Sequence, residues 1–338
     1  MRQTIEDKSI IRNSIMKLSG EEHLIAVFIQ NDLRWIGCLV CLLALAVSGW
    51  ADAARYTPPE IKVAEGFEVR LAAAPPLVGY PMMACLDDRG RLYVAESDGR
   101  NLTTRQAIER ELPRFVRRLV DVDGDGVFDK STIFADRMTM PEGGLWHDGA
   151  LYIISAPYLW RLEDLDDDGV ADNREKILGI MEFDGRANQH GPYLGPNGRL
   201  YFTGGHFGYN LVGTDGSRSG HSRAAGVFSC WPDGSDVRVE GQGGINPVDT
   251  VFTANGDMLS TCAIFDSFGG KRHDALIHWM WGGLTQRVYG SPLVPETGLR
   301  LPAVSRWGQV APSGLVRYRG RSFGAAYRDT LFACQFNT

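Results

Sequence analysis

A chain of 338 residues, 44% hydrophobic and 22% charged, can bury a sizeable core, and 40 glycines with 16 prolines make it rich in turns. Its formal net charge of −6 and the lack of a basic stripe exclude a nucleic-acid partner, since neutralising phosphates needs clustered Lys and Arg. No interval carries an amphipathic helix longer than a few turns, which excludes a βαβ organisation and leaves an all-β domain.

Met1 to Arg34 balances five basic residues against five acidic ones and gives way to Trp35–Trp50, sixteen residues without a charge. That run is short for a spanning helix of about 20 residues and suits a signal-peptide core. Ala51-Asp52-Ala53 follows as an A-x-A cleavage site. The expected division is therefore a leader over 1–53 and a folded domain over 54–338, exported to the periplasm or held at the membrane; because the leader is long, a start downstream, for instance at Met16, and an uncleaved anchor are the alternatives. Cys38 and Cys41 lie inside the apolar leader and read as filler. Cys85, Cys230, Cys262 and Cys334 remain, and four cysteines allow three pairings. Three of them sit in or beside apolar strand sequence, which suits buried thiols as well as disulfides.

Gly66 to Ala72 alternates as a strand, and then a repeated unit begins. Its fullest copy is Asn188 to Gly205: a short strand, the turn Pro196-Asn197-Gly198, and the β-favouring Leu200-Tyr201-Phe202-Thr203. His190 stands at the entrance of its first strand. Related copies begin at Pro81, Pro141, Pro247 and Pro312, at intervals of about 50 to 65 residues, and periods of this length ending in hairpins mark a β-propeller. About five blades are represented. With half a unit after Pro312, the expectation is a propeller continued in a longer protein, because an open ring leaves an unpaired edge.

Between the copies lie two acidic loops. Asp121, Asp123, Asp125 and Asp129, and likewise Asp164, Asp166, Asp168 and Asp172, occupy positions 1, 3, 5 and 9 of a loop with Gly at 6, and Glu175 adds an acid at position 12 of the second. This is the order in which an EF-hand-type loop wraps Ca²⁺, and a cation would relieve the crowding of carboxylates. The second loop, with its extra acid, is the better candidate; plain Asp-Gly hairpin turns are the alternative. Farther on, Phe265 to Gln309 reads as an insertion holding His273, His278, Trp279, Trp281 and Trp307, which either caps the mouth or packs on the body.

Three segments in order carry a resemblance: His190 before Gly195-Pro-Asn-Gly-Arg-Leu-Tyr201, Asn246-Pro247 before Val251-Phe-Thr-Ala-Asn-Gly256, and Trp307-Gly-Gln-Val-Ala-Pro-Ser313. Together they resemble the soluble quinoprotein glucose dehydrogenases and the PQQ-dependent aldose and sorbosone dehydrogenases, six-bladed propellers with the cofactor in the central mouth. Val310 to Leu315 and Phe332 to Asn337 look closer still to bacterial proteins described as membrane-bound dehydrogenases, in which a haem c domain often follows. The resemblance implies His190 as catalytic base, Asn246 and Trp307 at the cofactor, calcium and PQQ as cofactors, a sugar or alcohol substrate, and a downstream haem c electron acceptor. It also shows departures. Ile245 stands where the family has an arginine, Asn337 where it has a lysine, and Gln189 where an acid commonly precedes the histidine.

Three functions follow as expectations: a quinoprotein-like dehydrogenase acting on a hydroxyl, a non-catalytic propeller binding carbohydrate or protein, and a metal-dependent lactonase-type hydrolase on the same architecture. The leader yields its own prediction. N-terminal sequencing of exported protein should find a start near Ala54, and retention of residues 1–50 in a membrane fraction would identify an anchor instead.

Overall fold

The computed structural model describes residues 26–28, 59–184, 189–268, 271–286, 288 and 290–336. The apolar run of the leader, residues 185–188 and Asn337 lie outside the described residues. Strand β1 (Ala26–Phe28) pairs antiparallel with β2 (Val69–Leu71), so the strand expected over 66–72 is formed only in its centre. Sheet one is β3 (Tyr80–Leu86), β4 (Leu92–Ser97), β5 (Arg114–Val120) and β6 (Lys130–Met138), in that order, with the short helix α1 (Arg105–Glu111) between β4 and β5. Sheet two begins with β7 (Pro141–His147), β8 (Ala150–Ser155), β9 (Tyr158–Glu163) and β10 (Asn173–Met181).

The chain then forms β11 (Gln189–Leu194) and β12 (Leu200–Gly204) of sheet three, and makes a detour. The hairpin β13 (Tyr209–Gly213) and β14 (Arg218–Ser222) joins the outer edge of sheet two, where the sequence reads as a Gly/Ser-rich loop. Sheet three resumes with β15 (Gly226–Cys230) and β16 (Arg238–Gln242). Sheet four contains β17 (Asn246–Phe252), β18 (Met258–Phe268) and β19 (Lys271–Trp279). Beyond it β20 (Gly283–Leu284) runs parallel to β16 of sheet three, β21 (Ser305–Arg306) closes sheet four, and β22 (Pro312–Arg317) pairs with β23 (Leu331–Gln335). The first part of Phe265–Gln309 is thus blade rather than insertion, because it completes β18 and supplies β19, while the stretch beyond Trp279 is mostly connection.

The first strands pack on one another in sequence, β3 on β7, β7 on β11, β11 on β17 and β17 on β22, while the later strands lie outward. This radial order of antiparallel sheets is a β-propeller of four full blades and a two-stranded fifth. Burial of both faces of each central strand explains the continuous apolar runs. Leu151 and Ile153 of β8 pack with Tyr93, Val116 and Phe134 of sheet one, whereas Tyr152 and Ile154 pack with Leu200, Phe202 and Phe228 of sheet three. Alternate residues of one strand therefore serve two inter-sheet cores. Sheets three and four meet through Tyr201, Val227, Met258, Ile277 and Trp279.

The four described cysteines are free, and burial pushes the thiols of Cys85, Cys230 and Cys262 up to about 12, which leaves them inert. Phe202 has no accessible surface and joins the largest of these cores. Phe202→Ala should cost about 3–5 kcal/mol in urea unfolding; a loss well under 1 kcal/mol would show that this inter-sheet contact does not hold the blades together.

Candidate functional site

Every inner strand is bulged at its entrance. The ladder with the second strand slips after Pro81, after Pro141, after His190, after Pro247 and after Pro312. Proline is tolerated there because the inner strand is a sheet edge and the missing N–H faces the axis. A bulge bends the strand and re-aims its side chains. The bulges of neighbouring blades also touch. A Cβ on Gly143 would overlap the backbone of Gly191, so glycine is required where β7 and β11 come together. The Tyr193 hydroxyl donates to Val248 O at 3.1 Å and Thr203 Oγ1 to the same oxygen at 3.2 Å, tying β11 and β12 to the bulge of β17. Asp249, in that bulge, accepts from Thr250 N at 3.0 Å and from Leu315 N of β22 at 2.7 Å. Burial raises its carboxyl above the usual range.

Within this ring of strand entrances the structure brings His190 and Asn246 together. His190 is the second residue of β11, inside the strand rather than before it, and faces the Asn246 side chain and the backbone of Glu142 in β7. As residues both are only partly buried, yet His190 Nε2 and Asn246 Oδ1 are shielded from solvent without a well-formed hydrogen bond, as is Gln189 Oε1 on the residue before the histidine. Gln189 spends its amide N–H on Glu182 O, and its side chain is directed away from the role of an orienting acid. Buried polar atoms left unpaired are costly, so the facing His190 Nε2 and Asn246 Oδ1 mark a place where a ligand's own hydrogen bonds would be welcome. Desolvation depresses the His190 imidazole to about 4, against smaller opposing effects of Asn246 and the Glu142 backbone. The ring is therefore neutral at physiological pH, with a nitrogen able to accept a proton.

Trp307 lies at the same end of the molecule but three strands out. It follows β21, the outermost strand of sheet four, and its N–H donates to Asp274 O at 2.7 Å. Strand pairing does not bring it to the His190–Asn246 pair. Beside it Asp266 accepts from Arg306 Nε at 2.6 Å and stands 3.3 Å from His273 Nδ1. Ile245, next to Asn246, is 8% exposed and apolar. The reading of sequence missed Glu142, Tyr193 and Asp249; their signal is their position within two residues of the repeated prolines.

The acidic loops lie at the opposite end of the blades, each joining the third and fourth strands of its sheet. Asp121, Asp123 and Asp129 bring carboxylate oxygens within 4.8 Å of one another, and Asp164, Asp166 and Asp172 do the same. Asp125 and Asp168 instead turn back to Val127 N and Val170 N, at 2.8 Å and 2.7 Å, and are outside these sets. Glu175 is carried off in β10, opposite Arg161, and also falls outside the set, because no helix follows the loop to bring position 12 round.

An all-β chain with radially stacked sheets and a half-buried histidine–asparagine pair at the strand entrances defines a propeller with a polar mouth. The chain belongs to the family described as a domain of unknown function, DUF7133, whose model matches residues 56–337. No curated protein matches it. Among solved structures it is similar to the PQQ-bound aldose sugar dehydrogenase of Streptomyces coelicolor, at 17% identity over 70% of this chain and 71% of that one, with a TM-score of 0.47. It is also similar to the calcium form of a Trichoderma reesei carbohydrate-active enzyme of family AA12, at 14% identity over 64% of this chain and 56% of that one, TM-score 0.46. A third is the holo PQQ domain of pyranose dehydrogenase from Coprinopsis cinerea, at 15% identity over 60% and 52%, TM-score 0.42. The match thus spans little more than half the length of the two fungal proteins.

The buried imidazole makes a pH prediction. A free histidine titrates near 6.5 and His190 near 4, so its neutral form stabilises the fold fully above pH 6.5 and that contribution is lost as pH falls toward 4. The loss should total about 3 kcal/mol. Urea unfolding of the native protein and of His190→Gln between pH 7.5 and 4 should show the native curve falling more steeply; parallel curves would mean that the imidazole is solvated.

Proposed function

We propose that this chain is the propeller of a quinoprotein-dehydrogenase-like oxidoreductase that oxidises a hydroxyl of a sugar or alcohol at the mouth. The observation that carries it is the facing pair His190 and Asn246, whose Nε2 and Oδ1 are shielded from solvent without a well-formed hydrogen bond, where β7, β11 and β17 converge. A carbinol O–H placed there would give its proton to the neutral His190, and its oxidation would require a separate two-electron acceptor. Asn246 would hold the same or a neighbouring hydroxyl, and burial keeps water from competing for the imidazole. Export, which rests on the apolar leader, and a haem c acceptor in a downstream domain, which rests on the family resemblance alone, belong to the same proposal.

PQQ would supply the two-electron acceptor when bound. Its three carboxylates require cations in a poorly solvated pocket. Beside Asn246 the described structure offers the buried apolar Ile245, and the neutral His190, Asn246 and Gln189 suit hydroxyls and carbonyls. Among the described residues this set does not fit the carboxylates, so no step is assigned to PQQ. The same observation favours a second reading, a non-catalytic propeller that binds carbohydrate.

Full-length protein should be supplied with PQQ and Ca²⁺ and assayed for dye reduction with a panel of sugars and alcohols. Activity that falls about 100-fold or more in His190→Ala, with the variant still folded at the assay temperature, is the expected result. Sugar binding by calorimetry without turnover selects the second reading, and turnover unaffected by the substitution overturns the role of His190.

A further inference from the structure

The two acidic loops look equivalent in sequence, yet the fold treats them differently. In the first, both oxygens of Asp121 are used by the loop itself, Oδ1 by Gly124 N at 2.7 Å and Oδ2 by Gly126 N at 2.9 Å. In the second, Asp164 Oδ2 accepts from Gly169 N at 2.9 Å and from Arg118 Nη1 at 2.8 Å, while Oδ1 is buried without any partner. The Asp164 side chain is only 4% exposed. A carboxylate oxygen so far out of water needs a cation or a donor, and leaving it unpaired is among the more expensive things a fold can do.

The charges around it fall short of neutralising the loop. Arg118 of β5 and Arg89 and Arg91 of the β3–β4 turn reach across from sheet one, but all three converge on Asp167, with Arg118 alone also on Asp164. Among the described residues, Asp166, Asp168 and Asp172 have no basic partner, although Asp166 and Asp172 lie in the 4.8 Å set with Asp164. Leu165 N at 2.7 Å and Asp168 N at 3.2 Å each occupy one oxygen of Asp172 and Asp166, which fixes the carboxylates and leaves their other oxygens free to act as ligands.

We infer that the loop Asp164–Asp172 is a calcium site built on Asp164, Asp166 and Asp172, and that the ion fastens blade two to blade one through the Asp164 carboxylate it shares with Arg118. Ca²⁺ is the cation that fits, because it takes several carboxylate and carbonyl oxygens in a loose geometry, whereas Mg²⁺ demands a near-octahedral shell and keeps its water. Because the site is at the far end of the blades from His190, its role is structural and is independent of the proposed chemistry at the mouth.

Isothermal titration of the chelator-treated full chain with CaCl₂, paired with thermal melts, tests this. One calcium per chain should bind, with a rise in melting temperature. Asp166→Asn, at an exposed residue that leaves Arg118 and Asp164 in place, should weaken binding at least tenfold, and Asp123→Asn in the first loop should change it less than twofold. Calcium binding lost in Asp123→Asn and kept in Asp166→Asn would overturn the assignment, as would the absence of both heat and a melting shift at millimolar calcium. A mouth without activity but with this calcium response leaves the inference standing.

Discussion

The convergence of inner strands on one axis is the constraint from which the rest of this structure follows. Strands that fan outward must crowd inward, and a regular ladder cannot continue into that crowding without backbone overlap. The chain answers with a bulge at each entrance, built on the repeated prolines and, between β7 and β11, on the contact of Gly143 with Gly191. The bulges set His190 against Asn246 and lock Val248 and Asp249 to neighbouring strands. A polar site at the axis is thus a by-product of the geometry that closes the blades together.

The hydrophobic contacts act one level out. Because the middle strands are covered on both sides, their odd and even residues belong to different cores, and each blade is stabilised by the two beside it rather than by itself. Few side chains are free to change without disturbing two interfaces. Polar groups that enter the sheets are paired there, as Ser229 is with Arg199 and Glu240 and Ser260 with Thr250 and Trp279, while the unpaired neutral acceptors lie at the mouth and an arginine and aspartate network at the far end.

At that far end, electrostatics separates two loops of nearly identical sequence. Both wrap their first aspartate around a later glycine, but Gly124 donates to Asp121, whereas the equivalent place in the second loop is Asp167, which turns outward to arginines of the adjacent blade. The difference of one backbone donor leaves Asp164 with an open, desolvated oxygen. Burial in turn comes from Arg118 lying flat against Gly169, where a side chain at 169 would collide with the guanidinium.

The sequence by itself determined what depends on local pattern. Prolines recurring ahead of Leu-Tyr hairpins mark the inner and second strands, with Tyr93, Tyr152 and Tyr201 all buried as such spacing implies, and the loop spacing marks both aspartate triads. Strand propensity and turn chemistry act over a few residues and are visible in a single chain. Partnership between distant segments is not visible there, since it depends on which edge is unpaired once the sheets have formed. Only the tertiary structure decided that β13–β14 leaves its own repeat to extend sheet two, that the first part of the apparent insertion is blade, and that Trp307 stands three strands from the pair it was expected to join. It also decided the chemistry of His190, because the same imidazole titrates near neutrality in water and stays neutral down to about pH 4 when desolvated at the axis.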